Sequence, residues 1–300
     1  MVDCRRWVSL GAMSMDNRIP TGQRPPKAYQ NPDFLRSRDA RVLRIIAEYL
    51  YPEQRLRKFQ IRNTVVFWGS ARCLSEEEFQ HQWNALQAQR EWRRGDTTDL
   101  EKRLQELQRL HILTRYYEEA RLLARMLTEW SLTLPPARRF VICSGGGPGI
   151  MEAANRGAYE AGGISIGLGI SLPHEQVTNP YITPELNFEF HYFFMRKFWF
   201  VYLAKAMVLF PGGFGTMDEL MEALTLVQTQ KIRRRLLILL YGEDFWRKVI
   251  NFDYMAEVGV ITPEDLKLIT YANSPQEAFT YLQEHLRTVH GLGAPYEQAP

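Results

Sequence analysis

Cysteine, histidine and long apolar runs are all scarce in this 300-residue chain, and each shortage removes a class of protein. The three cysteines, Cys4, Cys73 and Cys143, are widely spaced and odd in number, which argues against a disulfide framework and for a reducing, cytoplasmic setting. Six histidines (His81, His111, His174, His191, His285, His290) show no zinc-ligand spacing with them, so no metal site is expected. Apolar stretches such as Leu236 to Tyr241 are far too short to cross a bilayer. Residues 1–15 carry Arg5 and Arg6 ahead of only a weak apolar run, unlike a signal peptide. An excess of one charge is missing too. The 37 basic residues face 34 acidic ones, a net charge of +3, too balanced to announce a nucleic-acid partner.

What is present reads as a globular chain, 45% hydrophobic and 24% charged. Residues 16–33 form a polar, proline-rich lead-in, and a helical pattern from Asp39 to Leu56 places Val42, Ile45, Ile46, Tyr49 and Leu50 on one face until Pro52 interrupts it. A buried strand from Thr64 ends in the small-residue turn Gly69-Ser70. The charged stretch Ser75 to Arg109 is broken by Gly95 and Asp96 into two helices, with capping-box spacing at Ser75/Glu78 and Thr98/Glu101. It reads as a solvated insertion, with a partner-docking arm as the sharper alternative. Another helix runs from Tyr116 to Trp130.

Apolar strands then alternate with helices. Strands are expected at 139–143, 164–170, 186–190, 206–210, 236–241 and 266–271, and helices at 149–161, 192–203, 217–230, 244–258 and 275–289. This alternation gives the fold class: α/β, a doubly wound, Rossmann-like parallel sheet with helices on both faces. The expected organisation is an N-terminal extension over 1–62 and a nucleotide-binding catalytic domain over 63–290. The charged insertion occupies about 75–112 of that domain, and a loose tail covers 291–300.

Two strand-to-helix turns are rich in glycine: Ser144-Gly145-Gly146-Gly147-Pro148-Gly149, and Pro211-Gly212-Gly213-Phe214-Gly215-Thr216. Bare backbone admits a ligand closely, and the N–H groups and dipole at a helix start hold an anion. Glycine also serves plain tight turns, but two such turns in one sheet point to phosphate. Neither is a P-loop, because no Gly-Lys-Ser/Thr follows. Neither fits the dinucleotide fingerprint, which favours a mononucleotide over NAD.

Thr216 to Glu219 has capping-box spacing, under which Glu219 holds the Thr216 N–H; a catalytic carboxylate is the alternative. Glu219 and Glu222 lie one turn apart, with Asp218 beside them, close to the anion site. Arg196 and Lys197 interrupt an aromatic helix made of Tyr192, Phe193, Phe194, Phe198, Trp199, Phe200 and Tyr202. A guanidinium there is paired, bound to a ligand or snorkelling. The helix itself is buried or lies in an interface, which gives the expectation of a homodimer or higher homo-oligomer. Glu175 and His174, in the loop after the strand at 164–170, are further candidates, whereas Cys143 reads as structural.

The string Pro211-Gly-Gly-Phe-Gly-Thr-Met-Asp-Glu219 resembles the PGGxGTxxE signature of the LONELY GUY family. Ser144-Gly-Gly-Gly-Pro-Gly-Ile-Met151 resembles that family's upstream glycine turn, and Arg196-Lys197 its Arg-Lys pair; the likeness spans about residues 63–255. The resemblance implies a phosphoribohydrolase that splits a nucleoside 5′-monophosphate, AMP or a cytokinin form, into free base and ribose 5-phosphate. No metal or organic cofactor is implied. With the residue reading, it makes Glu219 and Arg196 the catalytic pair. Ser70, Gly145, Gly146, Gly147, Gly149, Glu175, Lys197, Gly212, Gly213, Gly215, Thr216, Asp218 and Glu222 become the substrate contacts. Short plant-type members carry a His and Glu just before the Arg-Lys pair, where this chain has Phe194-Met195. With the longer N-terminus, that looks like a longer bacterial branch and favours AMP or another purine monophosphate. Many members were once labelled lysine decarboxylases, yet no Schiff-base lysine site is apparent here. A nucleotide sensor or carrier without chemistry and an NAD-linked oxidoreductase are the competing readings.

Overall fold

The computed structural model describes residues 24–93, 95–171 and 178–289. The chain divides into two compact units, Met1–Ala47 and Glu48–Pro300. In the first, helix α1 (Pro32–Arg36) starts where Asn31 accepts hydrogen bonds from the N–H groups of Asp33 and Phe34 at 3.1 and 3.2 Å. Arg44 then donates to the carbonyls of Leu35 and Ser37 at 2.7 and 2.6 Å, closing the corner into α2 (Arg41–Lys58). Helix α2 passes straight through Pro52, where the sequence predicts an interruption. The ring removes one backbone hydrogen bond, and the burial of Pro52 with Leu56 offsets that loss.

The second unit runs β1 (Asn63–Trp68), α3 (Glu76–Trp92), α4 (Thr98–Leu132), β2 (Phe140–Ser144), α5 (Ile150–Glu160), β3 (Ser165–Ile170), β4 (Asn187–Phe190), α6 (Phe193–Tyr202), β5 (Ala204–Leu209), α7 (Phe214–Gln228), β6 (Leu237–Tyr241), α8 (Glu243–Val249), α9 (Phe252–Glu257), β7 (Ile269–Ala272) and α10 (Pro275–Val289). The strands make one 7-stranded sheet in the order β4-β3-β2-β1-β5-β6-β7, with every neighbouring pair parallel. This is the α/β fold expected from the alternation. Alternate strand residues Val65, Phe67, Val208, Phe210, Leu239 and Tyr241 pack into one core with Tyr117, Leu123 and Leu127 of α4, Ala154 of α5 and Leu282 of α10. The chain winds outward from β1 to β4 and then returns to lay β5 on the other side of β1. That reversal opens a crevice at the carboxyl ends of β1 and β5, where ligands bind in such sheets.

The charged segment forms the expected helical hairpin, with its own core of Phe79, Leu86, Leu100, Leu104 and Leu107. Ser75 caps α3 by accepting from the N–H of Glu78 at 3.1 Å. The second expected box, at Thr98, is displaced by one residue. Thr97 is the N-cap and Asp96 accepts from the Thr98 N–H at 2.9 Å, because an aspartate two residues back reaches that donor directly. Helix α4 continues unbroken to Leu132, so the helix expected from Tyr116 is its second half. The helix expected over 244–258 is divided: Ile250 is extended, and Asn251 caps α9 through the Tyr254 N–H at 2.9 Å.

Candidate active site

The carboxyl end of β5 leads through Pro211-Gly212-Gly213 into α7. The helix begins at Phe214 with Gly213 as N-cap, and Gly213 O accepts from the N–H groups of Thr216 and Met217, both at 3.0 Å. The capping-box reading of Thr216 and Glu219 is therefore corrected. The Thr216 N–H is already satisfied by backbone, and the start of the helix lies three residues earlier than the box requires. Gly212 has no room for a Cβ, which would run into the Thr216 side chain. The N–H groups of Gly212, Gly213, Phe214 and Gly215 make no hydrogen bond among the described residues. They are the unsatisfied donors of a helix start, a position suited to an anion.

Glu219 lies one turn into α7, only 4% exposed, and its carboxylate makes no hydrogen bond among the described residues. Burial pushes its carboxyl up to about 7, against the pull of Lys197 and Arg196 and with the push of Glu222 and Asp218. A carboxyl poised near neutrality in a crevice is a candidate for a catalytic acid or base.

The end of β1 ties the two glycine turns together. Ser70 N–H donates to Pro211 O at 2.9 Å, while Ser70 O accepts from the Ile150 N–H at 3.1 Å. Gly149, with φ of +72°, leaves no space for a Cβ against Ser70 O and Ala71. In the first turn Gly146 has φ of +75° and its N–H bonds to Ser144 Oγ at 3.1 Å, while those of Gly147 and Gly149 are open among the described residues. A Cβ on Gly145 would lie 2.7 Å from Arg196 Nη2 and 2.6 Å from Met151 Sδ, so the bare backbone there is what lets the guanidinium come against the turn.

Arg196 is held on three sides. Its Nε donates to Leu168 O at 2.7 Å, and its guanidinium carbon stands 5.0 Å from the centre of the Phe200 ring and 5.6 Å from that of Trp68. Burial lowers its pKa, while Glu219 and Cys143 work in the other direction. Lys197 points to α7, with Nζ 2.7 Å from Asp218 Oδ2 and 2.8 Å from Glu222 Oε2. Asp218, Glu222 and Lys197 thus form one ion-pair group beside Glu219. Glu175 and His174 lie outside the described residues. Cys143 is buried, and burial raises its thiol pKa, so it is inert as a nucleophile.

Several supports escaped the sequence reading. Asn179 donates from Nδ2 to Gly146 O and Gly147 O, both at 3.1 Å, and to Asn155 Oδ1 at 3.0 Å. Ser144 Oγ donates to the same Asn155 oxygen at 2.6 Å. This buried network fixes the first turn with its carbonyls held back. Glu48 of α2 accepts from the N–H groups of His191 and Tyr192 at 2.9 and 3.2 Å, tying the turn before α6 to α2. The Asn179-Pro180 step is a turn signal that marks the first of these. Nothing local marks Glu48.

These features define a doubly wound α/β protein with open N–H groups at a glycine-rich helix start and a buried acid at the point where the sheet order reverses. A family profile described as "Possible lysine decarboxylase" matches residues 151–282, which includes the Arg196-Lys197 pair and α7. A probable cytokinin riboside 5′-monophosphate phosphoribohydrolase of rice (Oryza sativa subsp. japonica) is 27% identical over 51% of this chain and 74% of its own length. A cytokinin riboside 5′-monophosphate phosphoribohydrolase of Arabidopsis thaliana is 25% identical over 58% of this chain and 78% of its own. Among solved structures, a molybdenum cofactor binding protein from Rippkaea orientalis is 19% identical, covering 56% of this chain and 86% of that one with a TM-score of 0.39. The resemblance to the LONELY GUY family carried by the glycine turns and the Arg-Lys pair is borne out by the profile and the two plant relatives.

Proposed function

We propose that this protein hydrolyses the N-glycosidic bond of a nucleoside 5′-monophosphate, AMP or another purine nucleotide, to free base and ribose 5-phosphate. The observation that carries this reading is Glu219: a buried carboxyl without a hydrogen-bond partner among the described residues, one turn below open N–H groups. Phosphate on the N–H groups of Gly212 to Gly215, and on those of Gly147 and Gly149, brings the ribose over Glu219. Departure of the base builds positive charge on the sugar carbon. Ionised Glu219 stabilises that charge and takes a proton from the attacking water. Water oxygen bonds to the sugar carbon, the glycosidic electrons leave with the base, and the base takes up the proton that Glu219 removed from the water, which returns Glu219 to its ionised form. Arg196, pinned against Gly145, holds the sugar phosphate. The plant relatives, named for this reaction on cytokinin ribosides, support the reaction type.

Lysine decarboxylation does not fit these residues. A Schiff-base lysine needs an amine that is readily neutral. Burial works in that direction at Lys197, but its bonds to Asp218 and Glu222 leave the pKa raised.

Incubation with AMP and with cytokinin riboside monophosphates, followed by chromatography, tests the proposal. Free base with ribose 5-phosphate is expected. Saturable binding of several monophosphates with no free base identifies a nucleotide sensor instead and rejects the reaction.

A further inference from the structure

Three connections meet where the sheet order reverses: residues 69–75 after β1, 145–149 after β2 and 210–213 after β5. The first of them lies between the two glycine turns. A Cβ on Gly149 would stand 2.8 Å from Ala71 Cα, and one on Gly212 would stand 3.1 Å from the carbonyl carbon of Gly69. Together the three connections hold one cationic side chain, Arg72.

The backbone at Arg72 is fixed. Ser70 Oγ accepts from the Arg72 N–H at 3.1 Å, a serine turn that bends the chain directly after β1, and Cys73 beyond it is buried. The Arg72 side chain is exposed and makes no hydrogen bond, ion pair or ring contact among the described residues. The neighbouring Ala71 N–H is open among them too. A lone exposed arginine is ordinarily just solvated, but here the other cations of the crevice are already engaged. Lys197 is bonded to Asp218 and Glu222. Arg196 donates to Leu168 O and shares charge with Glu219. Neither gives its whole charge to an entering anion, and a phosphate monoester brings about −1.5 to −2.

We propose that Arg72 is a substrate-binding residue of this site, which grips the 5′-phosphate from the solvent side and so sets the preference for phosphorylated over free nucleosides. The assignment rests on the nucleotide reading above and extends it to a residue outside both glycine turns. Backbone N–H groups of the turns hold the phosphate from within. Arg72, one residue beyond the Ala71 contact with Gly149, supplies a forked guanidinium that matches two phosphoryl oxygens. A free nucleoside offers that fork nothing comparable.

Calorimetric titration of the full chain with ribose 5-phosphate and, separately, with adenosine tests this, alongside AMP kinetics. The Arg72 side chain has no partner to lose, so the melting temperature of Arg72→Gln without ligand should equal that of wild type. The variant is expected to bind ribose 5-phosphate about tenfold more weakly and to raise KM for AMP by a similar factor, with kcat little changed and adenosine binding as in wild type. Arg72→Lys, which keeps the charge without the fork, should fall between the two. Equal ribose 5-phosphate affinity in wild type and Arg72→Gln overturns the proposal, as does a wild type that binds no ribose 5-phosphate. Equal weakening towards adenosine overturns it as well, and so does a fall in kcat at unchanged KM, which would place Arg72 at the reacting bond. Absence of AMP hydrolysis rejects the reaction alone and leaves the ribose 5-phosphate comparison standing.

Discussion

Replacing Glu219 by glutamine tests both the mechanism and the electrostatics behind it. The carboxyl is raised from its ordinary 4.5 to about 7, chiefly by burial. An acid raised in the folded state binds its proton more tightly there than in the unfolded chain. Stability is therefore fully present below the unfolded pKa near 4.5 and is lost as pH rises through the folded value near 7. At about 1.4 kcal/mol per unit, the ionised carboxylate costs the fold up to ~3 kcal/mol above neutrality. Glutamine imitates the protonated acid. Glu219→Gln is thus expected to unfold in urea with up to ~3 kcal/mol more stability than wild type at pH 8, and with equal stability at pH 4. The same variant loses turnover of AMP by roughly 10² to 10⁴ and retains AMP binding. Paired urea titrations at the two pH values and a chromatographic assay for free base read out both effects. A variant less stable than wild type at pH 8, or one that turns over normally, refutes the reasoning.

Three further outcomes follow from the same geometry. Lys197 pulls the Glu219 pKa down, so Lys197→Met is expected to move the rising limb of the kcat/KM profile above the wild-type position near 7; a limb that stays put or moves to acid contradicts the pairing. In Gly145→Ala the new Cβ lies 2.7 Å from Arg196 Nη2 and 2.6 Å from Met151 Sδ, both ends of flexible side chains, so kcat/KM should fall by about 10² with little change in melting temperature, and normal kinetics would show that Arg196 needs no contact with that turn. Phe193 and Phe194 of α6 are 53 and 51% exposed, apolar surface that fits a second copy of the chain, so light scattering should report a dimer that Phe193→Asp with Phe194→Asp converts to a monomer; a wild-type monomer at micromolar concentration counts against it.

Much of the fold was legible because strands buried on both faces are written as apolar runs. Val65 to Trp68, Ile142 and Cys143, and Ala206 to Leu209 each stand out locally. The errors fell where one side chain decided a backbone path. Asn251 divides a helix whose apolar spacing runs on, and buried Pro52 fails to break one. At the site, the glycine turns and the charged pair were readable as residue types, but their pairing was not. Nothing in the spacing of Lys197, Asp218 and Glu222 says that they neutralise one another. The apparent capping box at Thr216 misled because a threonine three residues before a glutamate also occurs inside a helix; the helix starts from its N-cap at Gly213, and the Thr216 N–H is already satisfied there. Asn155 and Asn179 were missed because a buried amide network joins residues far apart in sequence.

The charge arrangement around Glu219 also explains why two cations are kept beside it. Glu219, Asp218 and Glu222 are acidic, and an arriving phosphate adds further negative charge, which by itself would drive Glu219 towards its neutral form. The protein divides the problem. Lys197 absorbs Asp218 and Glu222 through two short ion pairs, so those carboxylates bear less on Glu219. Arg196 stands between Glu219 and the first glycine turn, sharing charge with the carboxylate while its Nη2 faces Gly145. The open N–H groups at the start of α7 supply the remaining positive potential without a titrating group. In the proposed reaction, a phosphate held there would be balanced by backbone dipoles and by Arg196, which would leave Glu219 free to ionise near neutrality and to face the positive charge that forms on the sugar. Neither cation can therefore be exchanged for a neutral residue without shifting the acid that sits between them.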